Sequence, residues 1–125
     1  PPEFHLETWR ESIDKLLKEH HRGAFQRIAP THFGLFDDPD WHLTAVLKSL
    51  QEIEAWLLHT MPSQPSLEEI NQRFLQWTAN ISAEQGLSQD HIQAYEAANP
   101  SWMSAAGMQR YWRKHRELSE AQGKP

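Results

Sequence analysis

The apolar side chains between residues 38 and 62 recur at helical spacing, and this pattern does most to limit the possible folds. Asp38 followed by Pro39 predicts a helix start, because aspartate caps free N–H groups and proline is tolerated in the first turn. Pro62 predicts the end, since proline breaks a helix interior. One apolar stripe lies between these points: Leu43, Val46, Leu47, Leu50, Ile53 and Leu57.

Two further helices are predicted on either side of this segment. Residues 7–20 form an amphipathic helix with a capping-box pattern, Thr8-x-x-Glu11, and a stop near Gly23. Ser66-x-x-Glu69 is a second capping box, and Gly86 stands where a C-terminal cap is expected. The two apolar stripes are Trp9, Ile13, Leu16 and Leu17 in the first helix, and Ile70, Phe74, Trp77 and Ile81 in the second.

The remaining segments complete a mainly α fold. A short helix is predicted over residues 88–98, with the Ile92 and Tyr95 side chains facing inward. A last helix is predicted to begin at Asn99-Pro100 and to extend to about Leu118. Residues 24–30 predict one short strand that ends at Pro30. A single strand without a sheet must pair with another chain or lose its regularity. We therefore expect about five helices in a small bundle, with at most one short strand.

Composition excludes several classes of protein. No apolar run approaches the ~18–20 residues that span a bilayer, and no signal-like N-terminus is present. The absence of cysteine excludes disulfides and thiolate metal sites, and it favours a cytoplasmic location. No nucleophile elbow, phosphate-binding glycine loop or Cys-His pair occurs. We expect no membrane partner.

Charge is unevenly distributed along the chain. Residues 37–99 hold ten acidic side chains against Lys48 and Arg73, whereas residues 100–125 hold five basic side chains against two acidic ones. This complementarity favours packing of the last helix near the acidic ones, within one chain or across a dimer. The apolar faces of residues 7–20 and 24–30 add to the expectation of a homo-oligomer.

A histidine follows the predicted strand, in the run Ile28-Ala29-Pro30-Thr31-His32-Phe33-Gly34. A neutral imidazole on a loop after a strand is a good ligand for zinc or iron, and an aspartate such as Asp37 or Asp38 could hold its other nitrogen. A lone loop histidine is also an ordinary surface or capping residue. From the residues alone, both interpretations stay open.

The run Pro-Thr-His-Phe-Gly followed by Asp-Asp resembles the last metal-ligand motif of the metallo-β-lactamase-fold hydrolases. A second run, Asn99-Pro100-Ser101-Trp102-Met103 with Gly107 and Tyr111-Trp112-Arg113-Lys114, resembles the terminal helix of a bacterial branch with an added helical domain. The resemblance implies that His32 is a metal ligand and that Trp102 contacts substrate. It implies zinc as the metal, with iron or manganese as alternatives, and hydrolysis of an ester, thioester or similar bond.

The family's His-x-His-x-Asp-His motif is absent from this chain, and the chain begins at Pro1-Pro2 without methionine. We therefore expect a C-terminal piece whose partner is the upstream part of the same polypeptide. The expected division is 1–36 as a helix–strand remnant, 37–118 as the helical domain and 119–125 as a disordered tail. Such a piece would hold no catalytic residue of its own, bind no metal tightly and be inactive alone.

Three other interpretations compete with this one. His32, Asp37, Asp38 and His42 could form a local metal cluster, although Asp38 is better explained as a helix cap. His20-His21 is better explained as capping a helix end than as a metal site. The basic run 110–116 could bind nucleic acid, but its aromatic residues fit a core better, so no nucleic-acid partner is expected. The rival function is a stand-alone helical interaction or dimerisation module without chemistry.

Overall fold

The computed structural model describes residues 4–31 and 33–117, and this part of the chain is mainly α-helical. Its helices are α1 (Leu6–His21), α2 (Pro39–Thr60), α3 (Leu67–Glu84), α4 (Gln89–Ala98) and α5 (Ser101–Trp112). A 3₁₀ turn, Met61–Ser63, follows α2, and a π-helical turn, Arg113–Glu117, continues α5. In these described ranges no strand forms, and Ile28 and Phe36 make an isolated bridge. The expected fold class is confirmed.

Local capping signals account for most helix ends. The backbone N–H of Trp41 donates to the Asp38 carboxylate at 3.1 Å, at the start of α2. At the start of α3, Glu69 N–H donates to Ser66 Oγ at 3.2 Å and Ser66 N–H donates to the Glu69 carboxylate at 2.8 Å. Gly86, just after α3, adopts a φ of +71°, which glycine reaches without strain. These predicted boundaries are confirmed.

The start of α1 differs from the predicted one. His5 is the N-cap, and its Nδ1 accepts a hydrogen bond from Thr8 N–H at 3.4 Å. Thr8 lies inside the helix, where its carbonyl accepts from Ser12 Oγ at 2.8 Å. The prediction of a capping box at Thr8 and Glu11 is therefore wrong. The earlier start brings Leu6 into the first turn, where its side chain is completely buried.

The chain divides into two compact units, residues 5–56 and residue 4 with residues 57–117 among those described. In the second unit α3 packs against α5. Its core includes Phe4, Leu57, Met61, Ile70, Ala105, Met108, Tyr111 and Trp112. Phe4 meets the Tyr111 ring edge-on, with 5.2 Å between ring centroids. Tyr95 on α4 is half exposed, so the expectation that it faces inward is wrong.

The unit of residues 5–56 holds α1, the connecting segment and most of α2. A salt bridge joins Arg10 on α1 to Glu54 on α2 at 2.7 Å. At the other end of α1, His21 Nε2 lies 2.6 Å from the Asp40 carboxylate. Leu43 and Leu50 are buried, but Leu16 and Val46 stay more than 40 % exposed. The apolar faces in this unit are therefore only partly covered.

Several expectations concern other parts of the chain. The start at Pro1-Pro2, the end of the last helix at Leu118 and the tail 119–125 lie outside the described residues. The predicted boundary at residue 36 separates segments of different expected origin. The two compact units do not test it, so it stays a prediction. None of the described helices combines the length and the apolar character that a bilayer crossing requires.

Candidate functional site

His32, the predicted metal ligand, lies outside the described residues, but both flanks of its motif are described. Ile28 N–H donates to Phe36 O at 3.1 Å and Phe36 N–H donates to Ile28 O at 2.9 Å. Phe33 N–H donates to Pro30 O at 3.1 Å, and Gly34 has a φ of +98°. A side chain at position 34 would be strained there. The chain therefore reverses direction between Ile28 and Phe36 through a turn that depends on glycine.

The neighbours that were candidates for a local metal cluster are engaged elsewhere. Asp37 forms a salt bridge with Arg27 Nε at 2.7 Å, and Asp38 caps α2. The His42 ring lies against Phe36, with 4.2 Å between centroids, and meets Trp41 edge-on at 4.8 Å. Among the described residues, no three or more histidine, cysteine, aspartate or glutamate side chains lie close enough together to hold a metal ion. These residues do not fit a complete metal centre.

The two histidines at the end of α1 bind other segments of the same unit. His20 Nδ1 lies 2.9 Å from the Phe25 carbonyl oxygen, and His21 Nε2 bonds to Asp40. The carbonyls at the helix end are instead satisfied by backbone N–H groups, with Gly23 N–H donating to His20 O at 2.8 Å. The pair lies in the last turn of α1, as predicted, but the hydrogen bonds of its ring nitrogens go to other segments and not to the helix-end carbonyls. Its bonds hold the connecting segment and the start of α2 beside α1.

An open apolar groove lies in the unit of residues 5–56. Its volume is about 510 Å³. Two helices and the connecting segment line it, and we call it the α1/α2 groove: Ile13, Leu16, Phe25, Arg27, Ile28, Ala29, Pro30, His42, Leu43 and Val46. Along residues 25–29, Ile28 alone donates a backbone hydrogen bond within the described parts of the chain. The predicted strand has thus lost its regularity beside an uncovered apolar surface.

The second run that carries the family resemblance serves mainly to pack α5. Glu96 accepts hydrogen bonds from the backbone N–H of Ser101, at 2.8 Å, and from its hydroxyl, so it caps the helix start. Gly107, Tyr111 and Trp112 are buried. Arg116 Nε donates to the Tyr111 hydroxyl at 3.0 Å. Both aromatic rings of the run 110–116 therefore lie in the core, as the sequence predicted.

Trp102, the predicted substrate contact, lies in the first turn of α5 and is 61 % exposed. Most large rings in this chain are more covered, apart from Trp41, which is 62 % exposed. A surface indole offers a large apolar face to a ligand or a partner. The substrate role of Trp102 stays a prediction.

A second concavity was not expected from sequence. It has a volume of about 250 Å³ and is lined by Met61, Gln64, Pro65, Gln109 and Arg113. More than forty residues of sequence separate the segment 61–65 from its neighbours on α5 and the π-helical turn. Gln64 in this concavity has a left-handed backbone conformation, which no local sequence pattern predicts.

Comparison with known protein families, with curated proteins and with solved structures finds no match to this chain.

Proposed function

We propose that this chain is the C-terminal region of a metallo-β-lactamase-fold, metal-dependent hydrolase. In this proposal His32 supplies one metal ligand, and the helical region shapes the substrate mouth or a dimer contact. The metal is zinc, with iron or manganese as alternatives, and the bond cleaved is an ester or thioester. The chain alone is not catalytic, and its location is the cytoplasm.

The α1/α2 groove is the observation that carries the proposal. Two helices and the segment that connects them line one open apolar surface, and along residues 25–29 only Ile28 donates a backbone hydrogen bond within the described parts of the chain. This arrangement is expected of a helix–strand unit whose sheet belongs to another part of the polypeptide, because open strand edges and apolar faces need a cover. The order of the two sequence runs, with the histidine motif first, supports the same origin.

In this proposal the described residues position the histidine motif and take no direct part in the hydrolysis. The bridge between Ile28 and Phe36, the glycine turn at Gly34 and the Asp38 cap hold both flanks of the motif in place. A ligand histidine needs such a rigid support, since metal affinity depends on preset geometry. A bound metal would supply Lewis-acid activation of the substrate bond or of water.

The coding sequence upstream of residue 1 provides the most direct test. We expect it to continue in the same reading frame into a domain that contains His-x-His-x-Asp-His. A frame that encodes any other kind of domain, or that begins at this segment, would overturn the proposal.

Metal content of the intact protein provides the second test. His32→Ala should lower bound metal and turnover together and leave the melting temperature nearly unchanged. His42→Ala is the matched control, because its ring packs on Phe36 and Trp41, and it should keep the metal. Normal metal content in the His32 variant would remove that residue from the ligand set. The isolated chain should bind zinc only weakly, since one imidazole cannot complete a tetrahedral site.

A stand-alone interaction module without chemistry is the second candidate. The exposed Trp41 indole and the uncovered groove favour it, because large apolar surfaces usually mark contacts with other chains. The two candidates differ in what covers the groove. The hydrolase proposal requires a sheet from the same polypeptide, whereas the module requires a separate chain.

A further inference from the structure

The concavity lined by Met61, Gln64, Pro65, Gln109 and Arg113 has a mainly polar surface. We call it the Arg113 pocket. Met61 and Pro65 are buried, whereas the Gln64 and Arg113 side chains are exposed. The 3₁₀ turn after α2 supplies one wall, and the end of α5 with its π-helical turn supplies the other. The pocket therefore belongs entirely to the unit of residues 57–117.

The polar groups that line the pocket are not used by the fold. The Arg113 guanidinium makes no ion pair or hydrogen bond with the described residues, whereas Arg116 donates to Tyr111 and Arg73 reaches Glu69. The side-chain amides of Gln64 and Gln109 likewise have no hydrogen-bond partner within the described ranges. No carboxylate lines the pocket. One unneutralised cation and two amides thus share a small concavity.

The backbone of Gln64 gives an independent reason to consider a ligand. Its φ of 50° and ψ of 52° place it in the left-handed region, and it is the one non-glycine residue with positive φ in the described ranges. Glycine would adopt this conformation without strain. A non-glycine residue in this region costs some backbone strain, and such residues cluster at ligand sites.

Charge and size identify the class of ligand. A guanidinium binds a carboxylate through two parallel hydrogen bonds, and amide groups donate to the remaining lone pairs. One cation balances one carboxylate, whereas a phosphate carries roughly −1.5 to −2 at neutral pH. The volume of about 250 Å³ is below the range of roughly 300–1,000 Å³ that drug-sized ligands occupy. We propose that the Arg113 pocket binds a small monocarboxylate.

This inference does not depend on the hydrolase proposal, because none of the lining residues belongs to the histidine motif. The test is a titration of the full chain with butyrate at constant ionic strength, followed by NMR of the glutamine side-chain amides and the arginine Nε–H groups. We expect saturable shifts at Gln64, Gln109 and Arg113. Shifts that do not saturate, or that spread evenly over the surface, would overturn the proposal.

Two charge-matched variants separate the pocket from general attraction. Arg113→Gln should weaken butyrate binding by about tenfold or more, since a charge-assisted pair is lost. Lys114→Gln removes the neighbouring exposed cation and should leave the affinity within about twofold, because Lys114 does not line the pocket. Equal losses in both variants would refute a specific site. Phosphate that binds more tightly than butyrate would refute the carboxylate assignment.

A third variant separates ligand binding from fold stability. Gln64→Gly removes the amide and relieves the left-handed backbone, so the melting temperature should stay the same or rise while butyrate binding weakens. A variant that binds butyrate as tightly as the parent chain would remove Gln64 from the site. A lower melting temperature would show that the side chain serves the fold instead.

Discussion

The two compact units treat their apolar side chains differently. In residues 57–117, α3 and α5 bury Ile70, Ala105 and Met108 almost completely. In residues 5–56, Leu16 and Val46 are more than 40 % exposed, although they lie on predicted apolar stripes. The unit of residues 57–117 has a core of its own, whereas the unit of residues 5–56 presents an open apolar groove.

This difference shows that apolar residues at helical spacing predict a helix. They do not predict which other segment will bury those apolar side chains. α1 and α2 formed at the expected positions, and their ends are joined by polar contacts, Arg10 with Glu54 and His21 with Asp40. Their apolar faces stay half open because the segment between them holds a single bridge in place of a sheet. A unit with such a surface is suited to bind another domain or chain.

Matched truncations provide the strongest test of this contrast. Ile70→Ala in the buried core should lower the free energy of unfolding by about 2–5 kcal/mol, because it leaves a cavity. Leu16→Ala on the groove should cost about 1 kcal/mol or less, since that side chain is already 43 % exposed. Urea unfolding of both variants gives the comparison. Equal losses would mean that the groove is stabilised as a core.

Self-association tests whether the groove binds a second copy. We expect a homodimer at micromolar concentration, with residues 1–36 or the helix faces at the interface and moderate sensitivity to salt. Val46→Asp should weaken it by tenfold or more, about 1.4 kcal/mol, because a charge replaces apolar surface. Leu75→Asp, at a partly exposed position on α3, is the control and should leave the dimer intact. Sedimentation of the parent chain as a monomer would refute this expectation.

Loss of a helix cap should have a smaller effect. Asp38→Ala removes the bond from Trp41 N–H and should cost about 1 kcal/mol. Asp38→Asn keeps an acceptor at the same place and should cost much less. Thermal melts of both variants provide the measurement. If both variants lost the same stability, the contribution would come from charge near the helix start and not from the hydrogen bond.

The smallest expected effect concerns pH and the cap of α3. Hydrogen bonds from the Ser66 backbone and then its side chain hold the pKa of Glu69 below its ordinary value of 4.5. The folded state therefore favours the charged carboxylate, and this stabilisation is present above pH 4.5 and is lost as the pH falls through the lowered pKa.

Glu69→Gln keeps the capping geometry but cannot ionise. The difference in melting temperature between the two proteins should shrink between neutral pH and pH 3. A difference that stays constant over this range would show that ionisation of Glu69 does not contribute to stability.

Much of the fold could be predicted because its signals are local. Asp38-Pro39, Ser66-x-x-Glu69 and Gly86 determine helix ends through bonds that span only a few residues. The flanks of the histidine motif turn around Gly34, whose φ is positive. The metal role of His32 stays a prediction.

Tertiary structure alone decided the remaining features. The Arg113 pocket combines Gln64 with Gln109 and Arg113 across a long stretch of sequence. The exposure of Leu16 and Val46 likewise depends on which segments pack against the apolar faces of α1 and α2. Capping and periodicity act within one or two turns of helix. Burial and site assembly depend on contacts between distant residues, which no local pattern encodes.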